Sequence, residues 1–205
     1  VLMCDVASEE LQAFVAQHAA TGREAEQLLV YAAPPESAFD AAGLREGAGR
    51  LEAGGLLTQE SVVDLARTWR CLMGKWLLFV PEWRVDALFG LVAERLREGA
   101  MPGCTRAVVS PPGTYGTDPD KYMLTVHCVD FTDHRQVMAL GKALRSLARQ
   151  GLRAPAGDWG ELRDDPFATR GKRVALYFKP DVFTYLNIHR KNPYGIRTTL
   201  HQIDL

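Results

Sequence analysis

The chain has 205 residues, of which 47% are hydrophobic and 24% are charged. These values are typical of a folded globular protein and exclude a disordered, collagen-like or coiled-coil chain. The longest apolar run, Trp76 to Pro81, is too short to span a membrane, so we predict no membrane association. The length fits one domain of ordinary size, and we predict that residues 1–205 form a single domain.

The net charge of −1 hides an uneven distribution along the chain. Residues 1–66 carry 11 acids and 3 bases, whereas residues 166–205 carry 2 acids and 7 bases, giving net charges of −8 and +5. A basic C-terminal end favours an anionic partner. The alternative is that the acidic and basic ends neutralise each other in the folded protein.

The four cysteines are widely separated, and no two have the C-x-x-C spacing of a zinc or redox site. The chain begins at Val1 without a signal-peptide pattern, and we expect it to be a fragment. Free thiols are typical of a reducing compartment, so we predict a cytoplasmic protein, with the nucleus as an additional location.

Three helices and two strands are predicted in the first half of the chain. The helices are expected after Ser8, after Thr58 and over residues 85–98, and the strands at Leu28–Tyr31 and Gly74–Val80. Between them, the Gly/Ala-rich segment near residues 39–57 predicts a flexible connection or a poorly fixed helix.

The second half predicts strands separated by one long helix. That helix begins after Asp133, and the strands are expected at Thr105–Ser110, Tyr122–Cys128, Arg173–Phe178, Phe183–His189 and near Ile196–His201. The order predicts an α+β fold with a curved, mostly antiparallel sheet and helices packed on one face. The other face would be partly open to a ligand.

Several segments resemble the basophilic leukaemia-expressed protein family. They are Trp69, Gly74 to Leu77, Lys121-Tyr122 with Asp130, and Lys179 to Leu186. The resemblance extends from about Thr58 onward and is weaker before it. It implies a fold similar to translation initiation factor 4E, a curved antiparallel sheet backed by helices. That fold relative binds the methylated guanine cap of messenger RNA between two tryptophans.

The four tryptophans fall into two groups. Trp76 lies within an apolar strand and Trp69 at the end of a helical stripe, so both are expected in the core. Trp83 and Trp159 lie in turn or loop sequence and are the candidates for a stacking pair. Neither reproduces the order of tryptophan and acid that cap binding uses.

The strongest binding pattern is basic and aromatic, and it lies near the C-terminus. The cations are Lys179, His189, Arg190, Lys191 and Arg197, with Tyr185 among the interleaved rings. Cations for phosphates and rings for bases are the components of a single-stranded nucleic-acid groove. The alternative is a solvated edge strand protected by its charges.

No catalytic, metal or cofactor motif is complete. Asp133 beside Asp130 and His134 is best explained as a helix cap, and the Gly-Lys pairs lack the other residues of a phosphate loop. We therefore predict no metal and no cofactor, and we favour a non-catalytic protein that binds RNA or a nucleotide-like anion. The alternatives are a protein-interaction module without nucleic acid and, behind it, an enzyme using His127, His189 or Asp181.

Overall fold

The structure is a computed structural model that describes residues 2–17, 27–32, 39–114, 120–153 and 175–205. Seven strands form one sheet in the order β1-β2-β4-β5-β3-β6-β7. They are β1 (Leu2–Asp5), β2 (Leu28–Tyr31), β3 (Gly74–Pro81), β4 (Cys104–Ser110), β5 (Lys121–Cys128), β6 (Ala175–Pro180) and β7 (His201–Asp204). The pairs are antiparallel except β1 with β2, which confirms the mostly antiparallel α+β fold.

The described residues also form six helices. They are α1 (Leu11–Gln17), α2 (Ala41–Ala53), α3 (Gln59–Thr68), α4 (Glu82–Arg97), α5 (His134–Arg153) and α6 (Asp181–Tyr185). Helices α1, α4 and α5 pack on one face of the sheet, which we call the core face. Helix α2 packs on α3, α3 on α6, and α6 on β3 and β6. None of the described helices is long and apolar enough to cross a membrane.

The core lies between the sheet and helices α4 and α5. Along β3 the side chains alternate, so Trp76, Leu78 and Val80 are fully buried while the residues between them are half-buried. The indole Nε1 of Trp76 donates to the Val137 carbonyl of α5 at 3.0 Å. Gly141 of α5 lies directly over the same indole, since a Cβ there would come within 2.5 Å of it. The prediction that Trp76 belongs to the core is confirmed.

The segment predicted as flexible contains the regular helix α2. Asp40 caps the helix by accepting a hydrogen bond from the Gly43 backbone N–H at 2.8 Å. Gly43 and Gly47 allow α2 to approach Trp69 and Leu65 of the α3 segment closely. Glycine is a poor helix former in isolation, and here tertiary packing outweighs the local preference.

The strand predicted at Phe183–His189 is wrong, because this segment begins as helix α6. Pro180 ends β6, with φ and ψ of −62° and 143°, and the helix starts at Asp181. The Leu186 N–H donates to the Val182 carbonyl at 3.0 Å, and Asn187 ends the turn with a φ of 56°. The final strand lies later than predicted, at His201–Asp204, where it pairs with β6.

Two alanine substitutions within α2 test this arrangement. Gly43→Ala places a Cβ 2.5 Å from the Trp69 ring, so we expect it to lower the free energy of unfolding by about 1–3 kcal/mol. Gly49→Ala meets nothing within 4 Å, and we expect it to raise that free energy by about 0.5–1 kcal/mol through helix propensity. Urea denaturation measures both. Equal effects of the two substitutions would contradict the packing of α2 on Trp69.

Candidate functional site

The second face of the sheet, opposite α1, α4 and α5, carries a line of polar side chains. Antiparallel register places Arg106 opposite His127, His127 opposite Lys75, and Lys75 opposite Lys179. Residues opposite each other across neighbouring strands share a face, so these four side chains form one line across β4, β5, β3 and β6. We call them the basic row. At about 4.8 Å per strand it extends about 14 Å.

Helix α6 contributes the carboxylate that faces the basic row. Asp181 follows directly after β6, and its backbone N–H donates to the Met73 carbonyl at 2.9 Å, which fixes the start of the helix beside β3. Lys75 Nζ donates to Asp181 Oδ1 at 2.8 Å. The Lys75 and Asp181 side chains are only 20% and 8% exposed, so this is an internal ion pair.

Asp181 stays ionised in this position. Burial raises the pKa of the carboxyl, but the His127 ring and the Lys75 ammonium lower it by more, and the net pKa lies well below the usual range. The distance from His127 Nδ1 to Asp181 Oδ2 is 3.8 Å, too long for a hydrogen bond. Of these two neighbours, Lys75 is the one within hydrogen-bond distance of the carboxylate.

His127 is neutral at neutral pH. Burial lowers its pKa, and the charges of Arg106 and Lys75 add to this effect against the opposing influence of Asp181. The contacts of the ring fit one neutral tautomer. An Arg106 guanidinium N–H lies 3.5 Å from Nδ1 and can donate to it, while Nε2 lies 3.3 Å from the Thr125 hydroxyl and can donate there. Thr125 in turn donates to the Val108 carbonyl at 3.4 Å.

With Arg106, Lys75 and Lys179 all protonated, the basic row and Asp181 together have a net charge of about +2. Strands β3, β4, β5 and β6 themselves place no carboxylate on the second face. The buried Nε of Arg106 has no hydrogen-bond acceptor among the described residues. A buried donor without an acceptor typically costs about 1–3 kcal/mol.

Aromatic rings border the basic row. Tyr177 is half-buried on the second face, next to Lys179 along that face of β6. Tyr185 of α6 is 43% exposed, and its ring contacts that of Phe39 with centroids 4.5 Å apart. Burial, followed by the Asp181 charge, raises the pKa of Tyr185. Charge and flat apolar surface therefore lie together at this end of the sheet.

The sequence-predicted site residues are divided among three places. Lys179 and Tyr185 lie at the basic row. His189, Arg190, Lys191 and Arg197 are exposed in the segment that follows α6, where His189 contacts the Asn187 side chain. Trp83 is 54% exposed at the start of α4, with the Arg84 guanidinium 4.4 Å from its ring centre.

Trp83 lies at the other end of β3 from the basic row. Six residues separate Lys75 from Pro81 along the strand, which corresponds to about 20 Å. Trp159 lies outside the described residues. Lys179, Tyr185 and Trp83 therefore do not form one cluster.

Arg106, Lys75, His127 and Asp181 were not in the predicted binding set. The signal in the sequence that could identify such residues is a charged or polar side chain that alternates with apolar ones along a strand. Lys75, next to Trp76 in β3, is an example. Among the described residues no group of three or more histidine, cysteine, aspartate or glutamate side chains could hold a metal. Asp133 instead accepts from the Gln136 N–H at 3.0 Å, which confirms its role as a helix cap.

Comparison with known proteins places the chain in a family. The sequence model described as basophilic leukemia-expressed protein Bles03 matches residues 45–152, just over half of the chain. The chain belongs to the Bles03 family. The matched range includes Lys75, Arg106 and His127 of the basic row, whereas Lys179 and Asp181 follow it.

Solved structures of translation initiation factor 4E are similar to this Bles03 family member. They include C. elegans eIF4E-3 with the 4E-binding protein Mextli and a cap analog (12% identity, TM-score 0.38), a schistosome eIF4E with m7GpppA and 4E-BP (15%, 0.41), and Ascaris suum eIF4E-3 with an m2,2,7G cap (10%, 0.40). The matches cover 55%, 64% and 64% of this chain and 53%, 58% and 58% of those chains. This chain thus spans less than two thirds of the length of those structures.

The basic row predicts a dependence of stability on pH. His127 has a lowered pKa when folded, so below its ordinary value of 6.5 the unfolded chain binds a proton that the folded chain does not. We expect the free energy of unfolding to fall from about pH 6.5 downward, by at most about 1.4 kcal/mol per pH unit for this group. Asp181 adds a further loss below its ordinary value of 3.8.

Urea denaturation from about pH 7.5 to about pH 4.5 measures this dependence. The His127→Gln variant should show a shallower decline between about pH 6.5 and pH 5, because one titrating group has been removed. His189→Gln is the matched control, since His189 is exposed in the segment after α6. If wild type and His127→Gln declined equally, the assignment of a buried neutral imidazole would be wrong.

Proposed function

We propose that this protein is a non-catalytic binding protein for RNA or a nucleotide-like anion, and that the basic row is where the anion binds. The observation that carries the proposal is the alignment of Arg106, Lys75 and Lys179 on one sheet face, where Asp181 is the one carboxylate of the described residues that faces them. Clustered cations of one sign attract and hold an anion, the more strongly where water is partly excluded.

Aromatic side chains around the row provide surfaces for the base of a nucleotide. The rings of Tyr177 and Tyr185 lie beside the cations, and aromatic faces stack on bases of any sequence. Of the three cations, Lys75 is held by Asp181, whereas Lys179 forms no ion pair with a described residue. Lys179 is therefore the side chain of the row that a phosphate would contact first.

The exposed cations after α6 offer contacts for an anionic ligand that is longer than the row. Arg190, Lys191 and Arg197 are solvent-exposed and follow α6 in the chain. A nucleotide would occupy only the row, whereas a strand of RNA has further phosphates for these side chains. The number of cations that affect binding therefore distinguishes a mononucleotide from RNA.

Binding of a fluorescent, short single-stranded RNA at several salt concentrations tests the proposal. Lys179→Gln should weaken binding and make the slope of log affinity against log salt shallower by about 0.7, the contribution of one phosphate contact on a single strand. Lys142→Gln is the matched control, because Lys142 is exposed on α5 at the core-face side of the sheet. No binding at low salt would overturn the proposal.

A second pair of variants separates the row from the segment after α6. Arg190→Glu with Lys191→Glu should weaken RNA binding and leave the affinity for a nucleoside diphosphate unchanged, because the smaller ligand does not reach these side chains. Equal loss for both ligands would place the mononucleotide site after α6 instead of at the row. Protein partners that persist after ribonuclease treatment, with no RNA affinity in vitro, would favour the protein-interaction alternative.

A further inference from the structure

Lys179 is in a position unlike that of an ordinary surface lysine. It lies directly opposite Lys75 across β3 and β6, with both side chains on the second face. Cβ atoms of such pairs are about 4.5–5.5 Å apart, so the two chains start side by side. The Lys75 side chain donates to Asp181 at 2.8 Å, whereas the half-buried side chain of Lys179 forms no hydrogen bond with a described residue.

These surroundings disfavour a charge on Lys179. Burial lowers its pKa, the Lys75 ammonium lowers it further, and Asp181 opposes this only in part. Desolvation beside a second cation is one of the established ways in which a lysine amine becomes nucleophilic at neutral pH. The site therefore combines an amine, a neighbouring fixed cation and partial access to solvent.

We propose that Lys179 is a reactive amine that captures small anionic aldehydes or ketones as imines on the second face. The Nζ lone pair attacks the carbonyl carbon, and the oxygen takes a proton to give a carbinolamine. Loss of the hydroxyl group as water, with the remaining proton leaving nitrogen, forms the C=N bond. One water is released per imine, and no oxidant or reductant takes part.

The neighbours of Lys179 favour a ligand that carries an anionic group. Lys75 lies one strand away in the same row, so a carboxylate or phosphate attached to the carbonyl compound meets this cation while its carbon meets the amine. This choice of an anionic ligand rests on the proposed anion-binding function. The nucleophilicity of the amine does not.

Reductive trapping with two aldehydes tests the reactivity of the amine and the preference for an anionic ligand separately. The folded protein is treated at neutral pH with cyanoborohydride and either pyridoxal 5′-phosphate or uncharged acetaldehyde, and the modified lysines are quantified by peptide mass spectrometry. We expect Lys179 to be modified several-fold more than exposed Lys142 by both reagents, and more by the phosphate reagent. Competing inorganic phosphate should reduce only labelling by pyridoxal phosphate.

Each other outcome overturns part of the proposal. Preference for Lys179 with the phosphate reagent alone would overturn the reactive amine and leave anion binding in place. Preference with acetaldehyde alone would overturn the anionic ligand class and, with it, the support for the proposed function. No preference with either reagent would overturn the inference entirely.

Variants test whether Lys75 is responsible. In Lys75→Met the neighbouring cation is lost and Asp181 is free to pair with Lys179, so labelling of Lys179 by acetaldehyde should fall several-fold. Lys142→Met should leave labelling of Lys179 unchanged. Far-UV circular dichroism and urea denaturation establish whether Lys75→Met is folded. If the variant does not fold, the pH dependence of Lys179 labelling is measured in the wild-type protein instead. A labelling midpoint for Lys179 no lower than that for Lys142 would overturn the inference.

Discussion

The ion pair between Lys75 and Asp181 determines the organisation of the second face. It joins the start of β3 to the start of α6, two points 106 residues apart in the chain. A buried carboxylate is expensive to desolvate and depends on its partner, so removal of either residue leaves an uncompensated charge, with a typical cost of about 3–5 kcal/mol. The pair is therefore better understood as fixing the position of α6 than as a large net gain in stability.

Elements with a strong local pattern were predictable from the sequence. The period-two alternation around Trp76 and the Thr58 cap both indicate their elements correctly, and the structure has β3 and α3 there. Distant contacts decide what the local pattern leaves open. Helix α2 contains glycines that are unfavourable in an isolated helix, and at Gly43 and Gly47 the side chains of Trp69 and Leu65 fill the space that a Cβ would occupy.

The error at α6 has a different cause. Residues 183–189 are rich in aromatic and β-branched side chains and resemble a strand by composition alone. The Asp181 backbone N–H bonds to Met73 and its side chain to Lys75, and both contacts require the chain to turn directly after Pro180. Val182 and Phe183 then enter the core from a helix, so the alternation expected of a strand does not apply.

The basic row was beyond sequence prediction because it exists only through strand register. Arg106, His127, Lys75 and Lys179 come from four strands whose chain order differs from their order in the sheet, and a shift of one residue would turn each side chain to the other face. The C-terminal excess of bases pointed to Lys179 but not to its neighbours.

An anion that binds the basic row must share it with Asp181. The Asp181 carboxylate already accepts a hydrogen bond from Lys75, so a ligand gains most from Lys179, which forms no ion pair with a described residue. This internal competition limits affinity, because a ligand that displaces Asp181 leaves that carboxylate buried and unpaired. It also favours ligands that add stacking on Tyr177 or Tyr185 to their charge, since rings contribute affinity without competing for Lys75. A bare phosphate should therefore bind more weakly than a nucleotide with the same charge.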